Sequence, residues 1–171
     1  LLFHGCEVQA RSSGPNAARG ISSVTILVFD EAAFIENGTD VYSSAVAATS
    51  TVSNAKIIMV STPNGKDQLY YETYRQAQAH QNGYNVVDFK WYQDLRYNRN
   101  LRWYKKDKKG EYQWIIEDVL DKKGNIKYDE DKWNKLEVDG WKPTSPWYEM
   151  ICKSFNNDSM RIAQEIEVSF L

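Results

Sequence analysis

The chain has 171 residues, 42% of them hydrophobic, with 21 Lys and Arg against 23 Asp and Glu for a formal net charge of −2. This composition can bury a core, and it excludes both a disordered chain and a polycation that coats nucleic acid over its whole surface, so any such contact has to come from a local patch. Cys6 and Cys152 stand far apart without a C-x-x-C and beside only two histidines, which excludes a disulfide scaffold and a Cys/His zinc site.

That cysteine usage fits a reducing compartment. No apolar run approaches the roughly 18 residues of a membrane span, and Leu1 to Val8 lacks the form of a signal peptide. The expectation is a soluble, intracellular protein with no membrane partner. The chain opens on Leu1-Leu2-Phe3 without an initiator Met and closes on the apolar, strand-like Glu167-Val-Ser-Phe-Leu171. Ends of this kind are expected of an internal piece of a longer protein.

In chain order, Phe3 to Arg11 suits a short strand or hairpin around Gly5, and Ser12 to Asn16 is a turn cluster. Val24 to Phe29 is a continuous apolar, β-branched run that predicts a strand buried on both faces. Thr39 to Ser50 predicts a helix of small residues capped by Thr39 or Asp40. Lys56 to Val60 predicts a second buried strand, ended by Ser61-Thr-Pro-Asn-Gly65. Leu69, Tyr70, Thr73, Tyr74 and Ala77 recur at helical spacing up to His80, and Tyr84 to Phe89 predicts a third strand.

Strand, helix, strand, helix, strand is the pattern of a parallel α/β sheet, which places ligands at the carboxyl ends of its strands, here Asp30-Glu31 and Ser61-Thr62. From Lys90 to Gly140 the chain changes character and becomes charged and rich in Trp and Tyr. Trp114 to Leu120 and Ile126 to Tyr128, around Asp121-Lys-Lys-Gly-Asn125, predict a hairpin inserted on the rim of the sheet. Pro146 to Phe155 and Ser159 to Ile166 predict two short helices. The predicted organisation is a core over 1–89, a charged aromatic insertion over 90–140 and a closing segment over 141–171.

Val28-Phe29-Asp30-Glu31 has the form of a Walker B element. A strand end can pin one carboxylate where it holds Mg²⁺ through its water shell, while the next carboxylate serves as base for an attacking water. The same pair could instead simply end a strand and cap the segment after it. In Lys90 to Trp114, eight Lys or Arg stand against Asp94, Asp107 and Glu111, with seven aromatics interleaved. Arg99, Arg102, Lys105 and Lys106 are its candidate DNA contacts. A solvated face whose aromatics pack inward is the other reading. His4 and His80 have no ligand partners nearby in sequence and read as structural.

Val28-Phe-Asp-Glu-Ala-Ala-Phe-Ile35, preceded by Ser12-Ser-Gly-Pro-Asn-Ala-Ala-Arg-Gly20 and followed by Ser61-Thr-Pro-Asn-Gly65, resembles the large terminase subunit of tailed double-stranded DNA phages, in its contractile-tailed branch. The resemblance spans residues 8–66 and returns at Arg161-Ile-Ala-Gln-Glu165 through Phe170; it is weak over 90–157. It implies a P-loop NTPase-type α/β fold, largely parallel, with flanking helices. It further implies an ATPase that uses ATP and Mg²⁺ to drive double-stranded DNA into a capsid, in a protein that also carries a nuclease.

Carried over onto this sequence, Asp30 is the Mg²⁺-associated acid and Glu31 the catalytic base. Ser61, Thr62 and Asn64 form the coupling motif that senses the γ-phosphate, and Arg19 is a finger on a neighbouring subunit's ATP. The implied partners are a portal protein, a small terminase subunit and further copies in a ring, in the host cytoplasm and transiently at the procapsid portal. No G-x-x-x-x-G-K-[ST] loop occurs in the sequence, since Gly65-Lys66-Asp67 has the wrong context, and the nuclease carboxylates are also missing. A DEAD-type helicase ATPase shares the strand-end logic, but here Ala33 replaces the final acid of its box. A non-enzymatic DNA-binding module centred on 90–114 is the alternative from another class.

Overall fold

The computed structural model describes residues 2–3, 5–14, 16–66, 69–117 and 129–170. They divide into two units: the chain up to Val86 joined by Phe170, and Val87–Ser169.

The first unit opens with a short antiparallel hairpin, β1 (Leu2–Phe3) and β2 (Cys6–Glu7), turned at Gly5. Strand β3 (Ile26–Phe29) leads through a 3₁₀ turn, Ala32–Phe34, into helix α1 (Gly38–Val46), which tightens into a second 3₁₀ turn at Ala47–Thr49. The chain then returns as β4 (Lys56–Met59) and continues into α2 (Leu69–Gln78). The helix α1 begins one residue before the predicted Thr39, and the capping position falls on Asn37 in the left-handed region without a side-chain cap. Neither Thr39 nor Asp40 can cap, because both already lie inside the first turn.

Strands β3 and β4 are parallel neighbours, in the register Ile26↔Lys56 through Phe29↔Met59. Their pairing extends past both ends, with Lys56 N–H donating to Thr25 O (2.9 Å) and Val60 N–H to Phe29 O (2.9 Å). One face packs on the helices: Phe29 and Ala32 are buried with Val41 and Ala45 of α1, and the Phe29 ring lies 5.6 Å from Tyr42. The opposite face differs from the two-sided burial predicted. Ile26, Val28, Ile58 and Val60 remain 60%, 54%, 45% and 52% exposed, so no described element covers it. Tyr84 to Phe89 is not a strand: it joins no ladder among the described residues, and Val87 and Phe89 are 73% and 77% exposed.

The second unit is built on an antiparallel sheet of order β6-β5-β7, from β5 (Arg102–Lys106), β6 (Tyr112–Ile116) and β7 (Lys142–Thr144). A hairpin joins β5 and β6 through Asp107 to Glu111; the predicted turn at 121–125 and its second arm lie outside the described residues. Asp107 makes the turn, its carboxylate accepting from Lys109 N–H (2.8 Å) and Glu111 N–H (3.0 Å), with Gly110 at φ 84°.

Helices α3 (Glu130–Val138), α4 (Pro146–Ser154) and α5 (Ser159–Glu165) complete the unit. Each starts on an oxygen-bearing cap, from Asp129, Ser145 and Asp158 in turn. The core is aromatic: Trp103 is fully buried and Trp133 nearly so, and Tyr92 meets both edge-on at 5.4 and 5.6 Å. Trp91 stacks on Tyr148 at 4.8 Å, and Tyr97 on Trp147 at 4.1 Å. No helix among the described residues is long and apolar enough to cross a membrane.

Candidate functional site

Parallel pairing in register sends β3 and β4 out of the sheet at the same end. Asp30-Glu31 and Ser61 to Asn64 therefore emerge side by side, joined by the Val60 N–H to Phe29 O bond. Glu31 takes a left-handed backbone, φ 50° and ψ 44°, which a side chain with a Cβ adopts only at a cost.

Three bonds hold the chain just after it. Ala32 N–H donates to Val60 O (3.0 Å), Ala33 N–H to Ser61 Oγ (3.1 Å), and Asn64 Nδ2 to Ala33 O (3.1 Å). Ser61 and Asn64 thus grip both backbone groups of Ala33, a residue only 1% exposed. The carboxylates of Asp30 and Glu31 stay exposed, and Glu31 N–H donates to Asp30 Oδ1 (3.2 Å). Thr62 is half-buried within the same segment.

A shallow depression of about 380 Å³ opens beside the grip, lined by Ala33 to Asn37 and Asn64. Of the predicted site residues it includes Asn64 alone. A larger open groove in the second unit, about 1080 Å³ around Phe89, Trp91 and Trp147, is lined by none of them.

Arg19 is exposed in the turn over Asn16 to Gly20, where its N–H donates to Asn16 O (3.1 Å). The neighbouring Ala18 packs on the Phe29 cluster, which fixes this turn on the same core as the strand ends. Sequence reasoning passed over Tyr70, whose hydroxyl donates to Ser61 O (3.3 Å) and whose ring lies 6.1 Å from Phe170. The tyrosine triplet of α2, Tyr70, Tyr71 and Tyr74, was the available signal.

The basic segment does not form one patch. Alternation along β5 puts Arg102, Tyr104 and Lys106 on one face and Trp103 and Lys105 on the other. Lys105 Nζ is committed to the backbone oxygen of Asp139, and Arg102 pairs with Glu149 at 2.8 Å. Lys106 lies over the Tyr112 ring at 5.0 Å, and Arg99 is exposed in the turn before the strand. The aromatics divide in the same way: Trp91, Tyr92 and Trp103 are buried, while Tyr112 and Trp114 are 53% and 50% exposed.

A nucleotide's Mg²⁺ keeps most of its waters and takes one or two carboxylates together with phosphate oxygens. One exposed carboxylate at a strand end, Asp30, fits that demand. Among the described residues no group of three His, Cys, Asp or Glu forms an all-protein metal cage.

No family model and no solved structure matches the chain. Among curated proteins it is similar to the Mu-like prophage FluMu protein gp28 of Haemophilus influenzae, at 35% identity over 82 residues. The match takes in 48% of this chain and spans about 15% of that protein's length.

Proposed function

We propose that this chain carries the Walker B acids and the coupling segment of a viral DNA-packaging ATPase, the large terminase subunit, within a P-loop NTPase-type α/β domain. The observation that carries the reading is the shared strand end: Asp30-Glu31 and Ser61 to Asn64 leave adjacent parallel strands together, and the second segment grips the turn just after the first. Similarity to a Mu-like prophage protein supports a phage origin. The uncovered apolar face of β3 and β4 supports a parallel sheet that is covered by a further layer on that side, as in α/β folds with helices on both faces. Burial of Ala33 with both backbone groups engaged leaves no room for the final acid of a helicase box, which favours the motor over a DEAD-type helicase.

In this reading the substrate is ATP and the translocated partner is double-stranded DNA, with the portal, a small terminase subunit and further copies in a ring completing the motor. Asp30 would hold Mg²⁺ through its water shell, which would neutralise charge on the phosphates. Glu31 takes a proton from the attacking water. Ser61 and Asn64 couple the strand-end segment to Ala33, so a shift of residues 61–64 on loss of the γ-phosphate displaces the backbone that carries Glu31. Arg19, exposed in its turn, reaches toward a neighbouring subunit's nucleotide. Arg99, Arg102, Lys105 and Lys106 remain the candidate DNA contacts, with Lys105 the least available.

The test separates binding from turnover in the protein with its phosphate-binding loop present. Glu31→Gln should keep nucleotide affinity and lower the ATPase rate about 10²- to 10⁴-fold, the usual worth of a general base. Asp30→Asn should weaken Mg²⁺-nucleotide binding and turnover together. Robust hydrolysis by Glu31→Gln would mean that Glu31 merely shapes the turn and that this strand end is not a Walker B site.

A further inference from the structure

The outward face of the sheet in the second unit has no role in nucleotide chemistry. Antiparallel register places Lys106 opposite Tyr112, Tyr104 opposite Trp114, and Tyr104 opposite Lys142 on the other side. Directly opposed residues share a face, so the three aromatics and both lysines point the same way. Tyr104 lies 5.8 Å from Tyr112 and 5.5 Å from Trp114, and those two rings are 6.1 Å apart. Each ring therefore touches the other two in one continuous layer. Tyr112 and Trp114 keep half their surface in solvent, and Arg102 lies over the Trp114 ring at 5.3 Å.

Aromatic side chains of this size usually bury themselves, and this unit does bury Trp91, Tyr92, Trp103 and Trp133. A half-exposed aromatic layer beside cations, its rings tilted to one another by 35° to 63°, offers separate ring surfaces to unpaired bases, which can stack on them one by one while lysines meet the phosphates. Duplex DNA hides its base faces and would meet only the cations. Arg102 is already paired with Glu149, which leaves Lys106, Lys142 and the hairpin-turn residues Lys108 and Lys109 for phosphate.

We infer that the sheet face formed by Tyr104, Tyr112 and Trp114, edged by Lys106 and Lys142, binds single-stranded nucleic acid by base stacking. This goes beyond the motor reading, which calls only for a grip on duplex DNA, and it does not depend on Asp30 or Glu31 being catalytic. Failure of the ATPase variants would leave it standing.

The probe is a fluorescein-labelled 12-mer of thymidylate titrated with the full 171-residue chain by anisotropy, beside a labelled 12-base-pair duplex. The single strand should bind more tightly than the duplex. Trp114→Ala should weaken it about 5- to 150-fold, the loss of one stacked base, with little change in salt dependence. Trp114→Phe should retain most of the affinity, and it guards against reading a misfolded variant as a lost contact. Lys106→Ala with Lys142→Ala should flatten the slope of log affinity against log salt by roughly 1.4, about 0.7 for each phosphate contact. Duplex binding as tight as single-strand binding, wild-type affinity in Trp114→Ala, or no binding of the 12-mer would each overturn the inference.

Discussion

Glu31 shows how one backbone conformation links stability to chemistry. A residue with a Cβ held at φ 50° costs about 1 kcal/mol relative to an unstrained one. The conformation persists because the bonds from Ala32 and Ala33, and from Asn64 to Ala33, fix the chain on its far side. Glu31→Gly should therefore leave the fold unchanged or stabilise it by up to about 1 kcal/mol, since glycine enters the left-handed region freely but loses more entropy on folding. Ser61→Ala should have the opposite effect, because it strips the acceptor from a buried N–H, and should cost about 1–3 kcal/mol. Urea denaturation of both variants measures this. Loss of stability in Glu31→Gly would show that the carboxylate makes a contact that outweighs its strain. The acid pair and the Ser-Thr-Pro-Asn segment were both legible as motifs. That they are tied through Ala33 was not, because hydrogen bonds to a backbone leave no mark on the identity of the residue that provides it.

The strands divide into those that a hydrophobicity pattern reveals and those that it hides. Strands β3 and β4 are plain apolar runs, and their adjacency is implied by the helix between them. Strand β5 reads Arg-Trp-Tyr-Lys-Lys, in which a period of two is invisible to any apolar-or-polar reading, because tyrosine and lysine share the outer face while tryptophan and lysine share the inner. The same ambiguity hid the hairpin at Asp107-Lys-Lys-Gly110, although its turn chemistry is equivalent to that of Asp121 to Asn125. Tyr84 to Phe89 fails in the opposite sense: it has strand composition, but a strand also needs a neighbour. The division of β5 can be tested by energetics. Trp103→Ala empties a fully buried site and should cost about 3–5 kcal/mol. Trp114→Ala, 50% exposed and bound mainly by its ring neighbours, should cost about 0.5–1.5 kcal/mol. Equal costs would mean that both faces of the sheet are core, and would remove the exposed platform.

At the scale of the whole molecule, each unit holds phenols that resist ionisation. In the first, burial and then the hydrogen bond to Tyr42, 3.0 Å between the hydroxyls, raise the pKa of Tyr84 above its ordinary value of 10.0. In the second, burial and then the hydrogen bond to Glu167 raise Tyr148, and burial followed by the Tyr112 phenol raises Tyr104. A phenol is neutral when protonated, so these groups cost nothing at neutral pH. As pH passes about 10 the unfolded chain releases these protons while the folded chain keeps them, and stability drains towards the unfolded state. The urea midpoint should be insensitive to these phenols between about pH 7 and 9 and should fall steadily above 10. Tyr148→Phe separates the two parts of the effect. Without the hydroxyl that donates to Glu167, the variant should be less stable than the parent at pH 8, yet it should lose less on going to pH 11, because one of the retained protons is gone. The observable is the difference between the two midpoints for each protein. An unchanged difference in Tyr148→Phe would show that Tyr148 ionises as freely in the folded chain as in the unfolded one, and that the alkaline loss arises at Tyr84 and Tyr104.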